Sequence, residues 1–262
     1  MSQNSWQQRA ADALTALRRD GRAQSGFDPD LTPPDSESAY TIAGMVAARL
    51  GWDVVGWKIA ATNDRMRKAL RTNAPIYGRV FAPRIVPSPA RVEHAQQVNP
   101  IPEVEYQVRL GANLPPRDAP YTLADIDAAV ASLHPGIELA ECRFTHDERF
   151  PPLPAILADG AGSGTLVCGP AIENWRDQDI ANQEVVLYCN GERRRSGTAA
   201  EAMEHPLVPL TWLANELSRT RVGLRAGQII STGTLTGMLR PRAGDTYVAD
   251  FGPFGTVSAT YA

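Results

Sequence analysis

Two glutamates lie one residue apart in a segment whose pattern predicts a β-strand. The segment NPIPEVEYQVRL spans residues 99–110 and contains Glu103 and Glu105. Successive side chains of a strand point to opposite faces, so these two positions share one face, with Cα atoms about 6.5 Å apart. Like charges held this close are unfavourable unless solvent or a cation lies between them. The pair is therefore a candidate cation site.

A third carboxylate, Glu138, follows in the segment LHPGIELAECRF. Pro135 and Gly136 are expected to end a preceding helix, and residues 137–140 alternate as a short strand. Three carboxylates on neighbouring strands form a hard oxygen ligand set that suits Mg²⁺ or Mn²⁺. The residues alone leave another interpretation open, in which Glu103 and Glu105 line a solvated face and Glu138 pairs with an arginine.

The distribution of helical and strand patterns predicts an α+β protein. A small, mostly helical N-terminal part is expected over residues 1–95, packed on a β-rich, metal-binding body over residues 96–262 that forms a curled sheet. The predicted helices are Trp6–Arg19, Glu37–Leu50, Leu123–Leu133 and Pro209–Arg219. The predicted strands are Val104–Leu110, Gly136–Ala140, Glu184–Tyr188, Gln228–Thr232 and Thr246–Phe251.

Composition narrows the classes of partner and compartment. The chain has 262 residues, is 43% hydrophobic and carries a formal net charge of −3. Its scattered arginines give no basic surface for nucleic acid, and no segment has the roughly 20 apolar residues that span a bilayer. The N-terminus lacks the apolar core of a signal peptide, and the three cysteines have no paired spacing. We therefore expect a cytoplasmic protein with no nucleic-acid or membrane partner.

Eight short segments, in order along most of the chain, resemble the 2-keto-4-pentenoate hydratase and 4-oxalocrotonate decarboxylase family of the fumarylacetoacetate hydrolase superfamily. The resemblance implies a mixed sheet of the fumarylacetoacetate hydrolase C-terminal type and a homo-oligomer. It also implies a Mg²⁺ or Mn²⁺ site at Glu103, Glu105 and Glu138, with Lys58 as the active-site lysine. The segments are GWKIAATN, PIYGRVF, PEVEYQV, PGIELAECR, ADGAGSG, HPLVPLTWLANEL, ISTGTLTG and GDTYVADFGPFG.

The chemistry implied by this resemblance explains the residue types. A 2-oxo acid can chelate a divalent cation through a carboxylate and a ketone oxygen, which stabilises an enolate. Lys58 could then donate or remove a proton if burial and the cation depress its pKa toward neutrality. Water addition to the resulting enone is hydration, whereas loss of CO₂ into the same conjugated system is decarboxylation and needs no water.

Two positions depart from the family pattern. Ile76 stands in Pro-Ile-Tyr-Gly where the family commonly has an acidic residue, and Gly160 stands where it tends to have asparagine. Both differences remove polar groups from the expected pocket. Hydration needs a positioned water, so these differences make it less favoured as the reaction of this protein. They favour decarboxylation, tautomerisation or a more apolar substrate instead.

Other segments supply candidate substrate contacts. The turn ADGAGSG contains Ser163, which could receive a substrate carboxylate together with backbone N–H groups, although a plain connection explains the glycines equally well. By the resemblance, Thr234 and Leu235 in STGTLTG line the pocket. The segment ERRRSG, Glu192–Gly197, is expected to form a solvated hairpin tip.

The sequence thus predicts a metal-dependent hydratase that acts on an unsaturated 2-oxo acid of the 2-hydroxypenta-2,4-dienoate type in aromatic meta-cleavage catabolism. A decarboxylase of a 4-oxalocrotonate-like diacid is the second hypothesis. Two others remain open: an acylpyruvate C–C hydrolase, and a non-catalytic assembly partner of such an enzyme. The resemblance further suggests association with a pathway decarboxylase or hydratase.

Overall fold

α-Helices form at seven places in the computed structural model, which describes residues 5–262. No helix in that range is long and apolar enough to cross a membrane. The helices are α1 (Trp6–Asp20), α2 (Ser36–Leu50), α3 (Asp64–Leu70), α4 (Leu123–Ala129), α5 (Leu153–Ala158), α6 (Ala199–Met203) and α7 (Leu207–Arg219).

Local sequence signals explain where the first two helices begin and end. Ser5 forms a capping box at the start of α1, and Gly21 ends it in the left-handed conformation. The carboxylate of Asp35 caps α2, while Gly51 ends that helix at φ 67°. Both predicted helices are confirmed to within one residue at each end.

Twelve strands in the described residues form two sheets. The larger sheet has the order β2-β1-β10-β5-β6-β7-β3, and the smaller has the order β4-β12-β11-β8-β9. Both are mixed, because β1 pairs with β10, β3 with β7 and β4 with β12 in parallel. The strands are β1 (Val54–Ala60), β2 (Ile76–Phe81), β3 (Ile85–Pro87), β4 (Ala90–Val92), β5 (Ile101–Leu110), β6 (Val130–Ala140), β7 (Thr165–Cys168), β8 (Val185–Cys189), β9 (Glu192–Gly197), β10 (Ile229–Ser231), β11 (Thr246–Asp250) and β12 (Thr256–Tyr261).

The predicted helix Leu123–Leu133 is too long. Its start is correct, since Thr122 forms a capping box, but α4 ends at Ala129 and β6 begins at Val130. The apolar spacing fits a helix and a buried strand equally well, and pairing with β5 decides between them. Pro135 and Gly136 consequently lie inside β6 rather than ending a helix.

The segment ERRRSG is strand β9 rather than a hairpin tip. It is exposed, as predicted, but it pairs with β8 along its length. Asn190 and Gly191 form the tip instead, at φ 54° and 82°. An Asn-Gly pair favours this two-residue turn because both residues tolerate positive φ.

The two faces of β5 have opposite characters. One face carries Val104, Tyr106 and Val108, which are fully buried in the main apolar core. The Tyr106 ring contacts the ring of Phe251, the residue that follows β11, at 5.2 Å between centroids. The other face carries the glutamates, and a second apolar cluster around α1, α2 and α5 lies beside the sheet.

Strands from the first 95 residues enter both sheets. β1, β2 and β3 belong to the larger sheet, and β4 belongs to the smaller one. α1, α2 and α3 are the helices of the same part of the chain. The division at residue 95 remains a prediction. The pairing of β1 with β10 determines where Lys58 lies.

Close packing of β1 against β10 requires glycine at position 56. A Cβ atom at Gly56 would lie 2.0 Å from the carbonyl oxygen of Ile229. We predict that Gly56→Ala lowers the free energy of unfolding by about 3 kcal/mol or more. Urea denaturation measures this loss. The control Gly44→Ala, in helix α2, should be neutral or stabilising, and equal stability of both variants would contradict the prediction.

Candidate metal centre

The predicted site residues converge on one face of the larger sheet because of strand register. Lys58 on β1 is the partner of Ser231 on β10, and Ser231 is the partner of Gln107 on β5. Glu103 on β5 is the partner of Glu138 on β6. Directly paired residues on neighbouring strands project to the same side of a sheet. The lysine and the carboxylates therefore share that face.

The three predicted metal ligands come together. One carboxylate oxygen each from Glu103, Glu105 and Glu138 can be chosen so that all lie within 4.8 Å of one another. Glu105 and Glu138 are fully buried, and Glu103 is 7% exposed. Glu103 and Glu105 therefore do not line a solvated strand face, and the cation beside Glu138 is Lys58 rather than an arginine. These oxygens are the donors that Mg²⁺, Ca²⁺ and Mn²⁺ prefer.

Backbone and hydroxyl donors orient two of the carboxylates. Glu105 Oε2 accepts hydrogen bonds from Ser231 Oγ at 2.5 Å and from the Gly233 N–H at 2.9 Å. Glu138 Oε1 accepts one from the Gly164 N–H at 3.4 Å. Glu105 Oε1 has no hydrogen-bond donor among residues 5–262, and Glu138 Oε2 faces only the Lys58 ammonium group, at 3.3 Å. A buried acceptor without a donor is uncommon, and here it fits coordination of a cation.

The charges of the cluster are unfavourable by themselves. Burial raises the pKa of Glu103 to about 7, with Lys58 opposing this shift and Glu138 adding to it. Burial, Glu138 and Glu103 raise the pKa of Glu105 well above its ordinary value. Three buried carboxylates therefore resist being ionised together. A divalent cation between them would remove this penalty.

Lys58 lies at the centre of the site and is 2% exposed. Its Nζ is 3.3 Å from Glu138 Oε2 and donates to the Ala161 carbonyl at 3.2 Å. Burial lowers the pKa of Lys58, but Glu138, Glu103 and Glu105 together outweigh burial and raise it to about 12. Among the protein's own groups, burial does not depress the pKa of Lys58 toward neutrality, and the depression by a bound cation stays a prediction.

The other predicted contacts lie in segments beside this cluster. Ser163 is in the turn next to Ala161, but its hydroxyl donates to the Arg79 carbonyl at 2.6 Å. The Thr234 hydroxyl donates to the Gly237 carbonyl at 3.1 Å. Leu235 is buried and follows directly. Their substrate-binding roles remain predictions, and both hydroxyl protons are already engaged.

The departure at position 76 lies on the same face as Lys58. Ile76 on β2 is the partner of Ala60, and Gly78 is the partner of Lys58. Ile76 is 4% exposed and belongs to the apolar cluster around α2. The apolar side chain of Ile76 therefore lies on the face of Lys58, at the position where the family pattern has an acidic residue.

Comparison with known proteins identifies the family of the chain. The family described as fumarylacetoacetate (FAA) hydrolase C-terminal matches residues 75–261, more than two thirds of the chain. The chain belongs to this family. A 2-keto-4-pentenoate hydratase from Burkholderia vietnamiensis is 31% identical over 255 residues, covering 96% of this chain and 95% of the relative. A 4-oxalocrotonate decarboxylase from Pseudomonas putida is 28% identical over 89% of this chain and 87% of its own.

A solved structure confirms the predicted fold type. The 4-oxalocrotonate decarboxylase from Pseudomonas putida G7, complexed with magnesium and adipate, superposes with a TM-score of 0.90 at 23% identity. The match covers 100% of this chain and 99% of the other. The resemblance to the fumarylacetoacetate hydrolase superfamily is therefore confirmed for the fold and for the family.

Sequence reasoning missed the groups that orient the ligands. Ser231, Gly233 and Gly164 supply the donors to Glu105 and Glu138. Ser231 and Gly233 were visible only as small residues at the end of an apolar strand, a pattern that permits close backbone approach. Both bind the carboxylate of Glu105, which lies more than a hundred residues earlier in the chain, so the sequence could not indicate the pairing.

We predict that Glu105→Gln lowers the affinity for Mg²⁺ or Mn²⁺ by about 100-fold or more, because even changes outside the coordination sphere cost about 10- to 100-fold. Isothermal titration calorimetry measures the dissociation constant. Glu173→Gln, at an exposed glutamate, is the matched control and should leave affinity unchanged. Equal metal affinities of the two variants would contradict the assignment of Glu105 as a metal ligand.

The raised pKa of Glu103 also predicts a pH dependence of stability in the presence of a chelator. A carboxyl group with a raised folded pKa contributes stability below its unfolded pKa, and that contribution is lost as pH rises through about 7. From pH 6 to pH 8, wild type should lose about 1 kcal/mol more than Glu103→Gln. Urea denaturation at both pH values tests this. Comparing the two proteins cancels the opposite contribution of histidines whose pKa is lowered; identical slopes would contradict the prediction.

Proposed function

We propose that this protein is a divalent-metal-dependent lyase, and specifically a hydratase acting on an unsaturated 2-oxo acid of the 2-hydroxypenta-2,4-dienoate type in aromatic meta-cleavage catabolism. The observation that carries this proposal is the contact of Lys58 with Glu138 inside a cluster of three buried carboxylates. Relatives named hydratase and decarboxylase, both of which are lyases, support it.

The carboxylates of Glu103, Glu105 and Glu138 would hold Mg²⁺ or Mn²⁺. Their oxygens are hard donors, and Glu105 Oε1 lacks any other partner in the described part of the chain. When bound, the cation would polarise the 2-oxo group and stabilise negative charge that develops on it. Ser231 and Gly233 keep Glu105 oriented for this role.

Lys58 is the proposed proton donor. As an ammonium ion it can deliver a proton to the terminal carbon of a 2-hydroxydienoate, while the enol hydroxyl gives its proton to the resulting amine. The dienol thereby becomes a 2-oxo-3-enoate, and Lys58 is again an ammonium ion. Water adds to the fourth carbon of this enone and gives a 4-hydroxy-2-oxo acid. The Ala161 carbonyl fixes the direction of the ammonium group. Burial of Lys58 limits proton exchange with bulk solvent during the reaction.

Decarboxylation of a 4-oxalocrotonate-like diacid is the second candidate, and Ile76 favours it. This buried apolar residue lies on the face of Lys58 and cannot position a water molecule. Gly160, in the neighbouring turn, has no side-chain amide. Loss of CO₂ needs a stabilised enolate but no added water. Homo-oligomeric assembly, association with a pathway enzyme and a cytoplasmic location remain further predictions of the resemblance.

An ultraviolet assay with product identification tests the proposal. The purified protein is offered 2-hydroxypenta-2,4-dienoate and 2-oxohex-3-enedioate with Mg²⁺ or Mn²⁺. A 4-hydroxy-2-oxo acid identifies the hydratase, and CO₂ from the diacid identifies the decarboxylase. No turnover of either compound contradicts the lyase proposal and leaves acylpyruvate hydrolysis or a non-catalytic partner to be tested.

We predict that Lys58→Met lowers kcat by about 10²- to 10⁴-fold, the usual contribution of a positioned proton donor. Lys68, the only other lysine of the chain, is exposed, and Lys68→Met is the matched control. The control should retain kcat within about twofold, because it lies outside the site. A kcat for Lys58→Met close to that of the control would exclude Lys58 from the proton transfer.

A further inference from the structure

A network of buried charges lies directly behind the turn 159–164. Arg143 is fully buried, and its Nε donates to both carboxylate oxygens of Asp159, at 2.8 and 3.0 Å. Its other side interacts with Glu141 at 3.3 Å. Arg18, on helix α1, is 6% exposed. These residues are not among the metal ligands, and the proton transfer proposed above does not use them.

Both arginines hold the same backbone atom. Arg18 donates to the Asp159 carbonyl oxygen at 2.8 Å, and Arg143 donates to it at 3.1 Å. Arg18 also reaches the Ser163 carbonyl at 3.4 Å. The two ends of the turn are therefore attached to side chains from α1 and from the segment after β6. Each guanidinium has donors in a fixed planar arrangement, which suits such multiple contacts.

The turn needs this support because its backbone is in an unfavourable region. Gly160, Ala161 and Gly162 have φ angles of 103°, 55° and 79°. Glycine tolerates positive φ, but alanine does not adopt it readily. A non-glycine residue in this conformation persists where surrounding contacts determine it. Ala161 is such a residue.

The same turn supplies two contacts to the reactive groups. The Ala161 carbonyl accepts a hydrogen bond from Lys58 at 3.2 Å, and the Gly164 N–H donates to Glu138 at 3.4 Å. Gly78, the strand partner of Lys58, leaves room for the turn, since a Cβ atom there would lie 2.1 Å from the Gly160 carbonyl. A shift of the turn would therefore move the partners of both Lys58 and Glu138.

We propose that Arg18 and Arg143 are positioning residues that fix the turn 159–164, and through it the directions of Lys58 and Glu138. This inference rests on the proposed function for its effect on turnover. Stability alone gives a weak reason for the network, because buried ion pairs contribute little net stability over apolar residues of similar volume. Its effect on geometry is specific, because the turn that the network holds contacts both Lys58 and Glu138.

The test compares Arg18→Met, Arg18→Lys and Arg143→Lys with the control Arg117→Lys. Arg117 also holds two backbone carbonyls and one carboxylate, those of Ala119, Pro120 and Asp125, but in another loop. Hydrogen exchange is followed by mass spectrometry over residues 159–164, and Mn²⁺ affinity by calorimetry. Both readouts are independent of turnover, so an inactive wild type would reject the proposed function without deciding this inference.

We expect exchange of the turn to be about tenfold faster in Arg18→Met and Arg143→Lys, with Arg18→Lys closer to wild type and Arg117→Lys unchanged. In an active enzyme, kcat should fall about tenfold in Arg18→Met while KM changes less than about threefold. Folding is checked by thermal unfolding, and Arg18→Lys is the mild variant if Arg143→Lys does not fold. Wild-type exchange and Mn²⁺ affinity in a folded Arg18→Met would overturn the proposal.

Discussion

Mutual repulsion among three buried carboxylates is the constraint on which the rest of this structure depends. Glu103, Glu105 and Glu138 lie within one small volume and have a single ammonium neighbour, Lys58. When all four groups are ionised, three negative charges and one positive charge leave a net charge of −2. A divalent cation would balance this charge. The sheet must hold these groups together against their repulsion, and the pairing of β5 with β6 does so by backbone hydrogen bonds.

Small residues allow the surrounding backbone to approach this charged face. Gly78 accommodates the Gly160 carbonyl, and Gly164 lies so close to β6 that a Cβ atom there would be 1.8 Å from the Leu139 carbonyl oxygen. Because the backbone comes this near, the N–H groups of Gly164 and Gly233 can orient Glu138 and Glu105 directly. These two main-chain donors act together with the Ser231 hydroxyl and the Lys58 ammonium group.

The same face explains why hydration and decarboxylation are close alternatives. Both reactions need stabilisation of an enolate and a controlled proton, and the roles that we propose for the carboxylates and Lys58 would serve both. They differ in the need for a positioned water. Ile76 makes one border of the site apolar, so the surroundings of the lysine, more than the metal ligands, separate the two chemistries.

The sequence by itself determined the features that depend on neighbouring residues: the period-two placement of Glu103 and Glu105, and the caps of α1 and α2. Only the tertiary structure decided that β6 replaces the end of the predicted helix, that Glu138 pairs with Glu103, and that the three glutamates raise the pKa of Lys58 against the effect of burial. It alone revealed that Arg18 and Arg143 share the Asp159 carbonyl. Local patterns fix side-chain alternation and capping, whereas register, burial and the pKa of a buried group depend on partners distant in the chain.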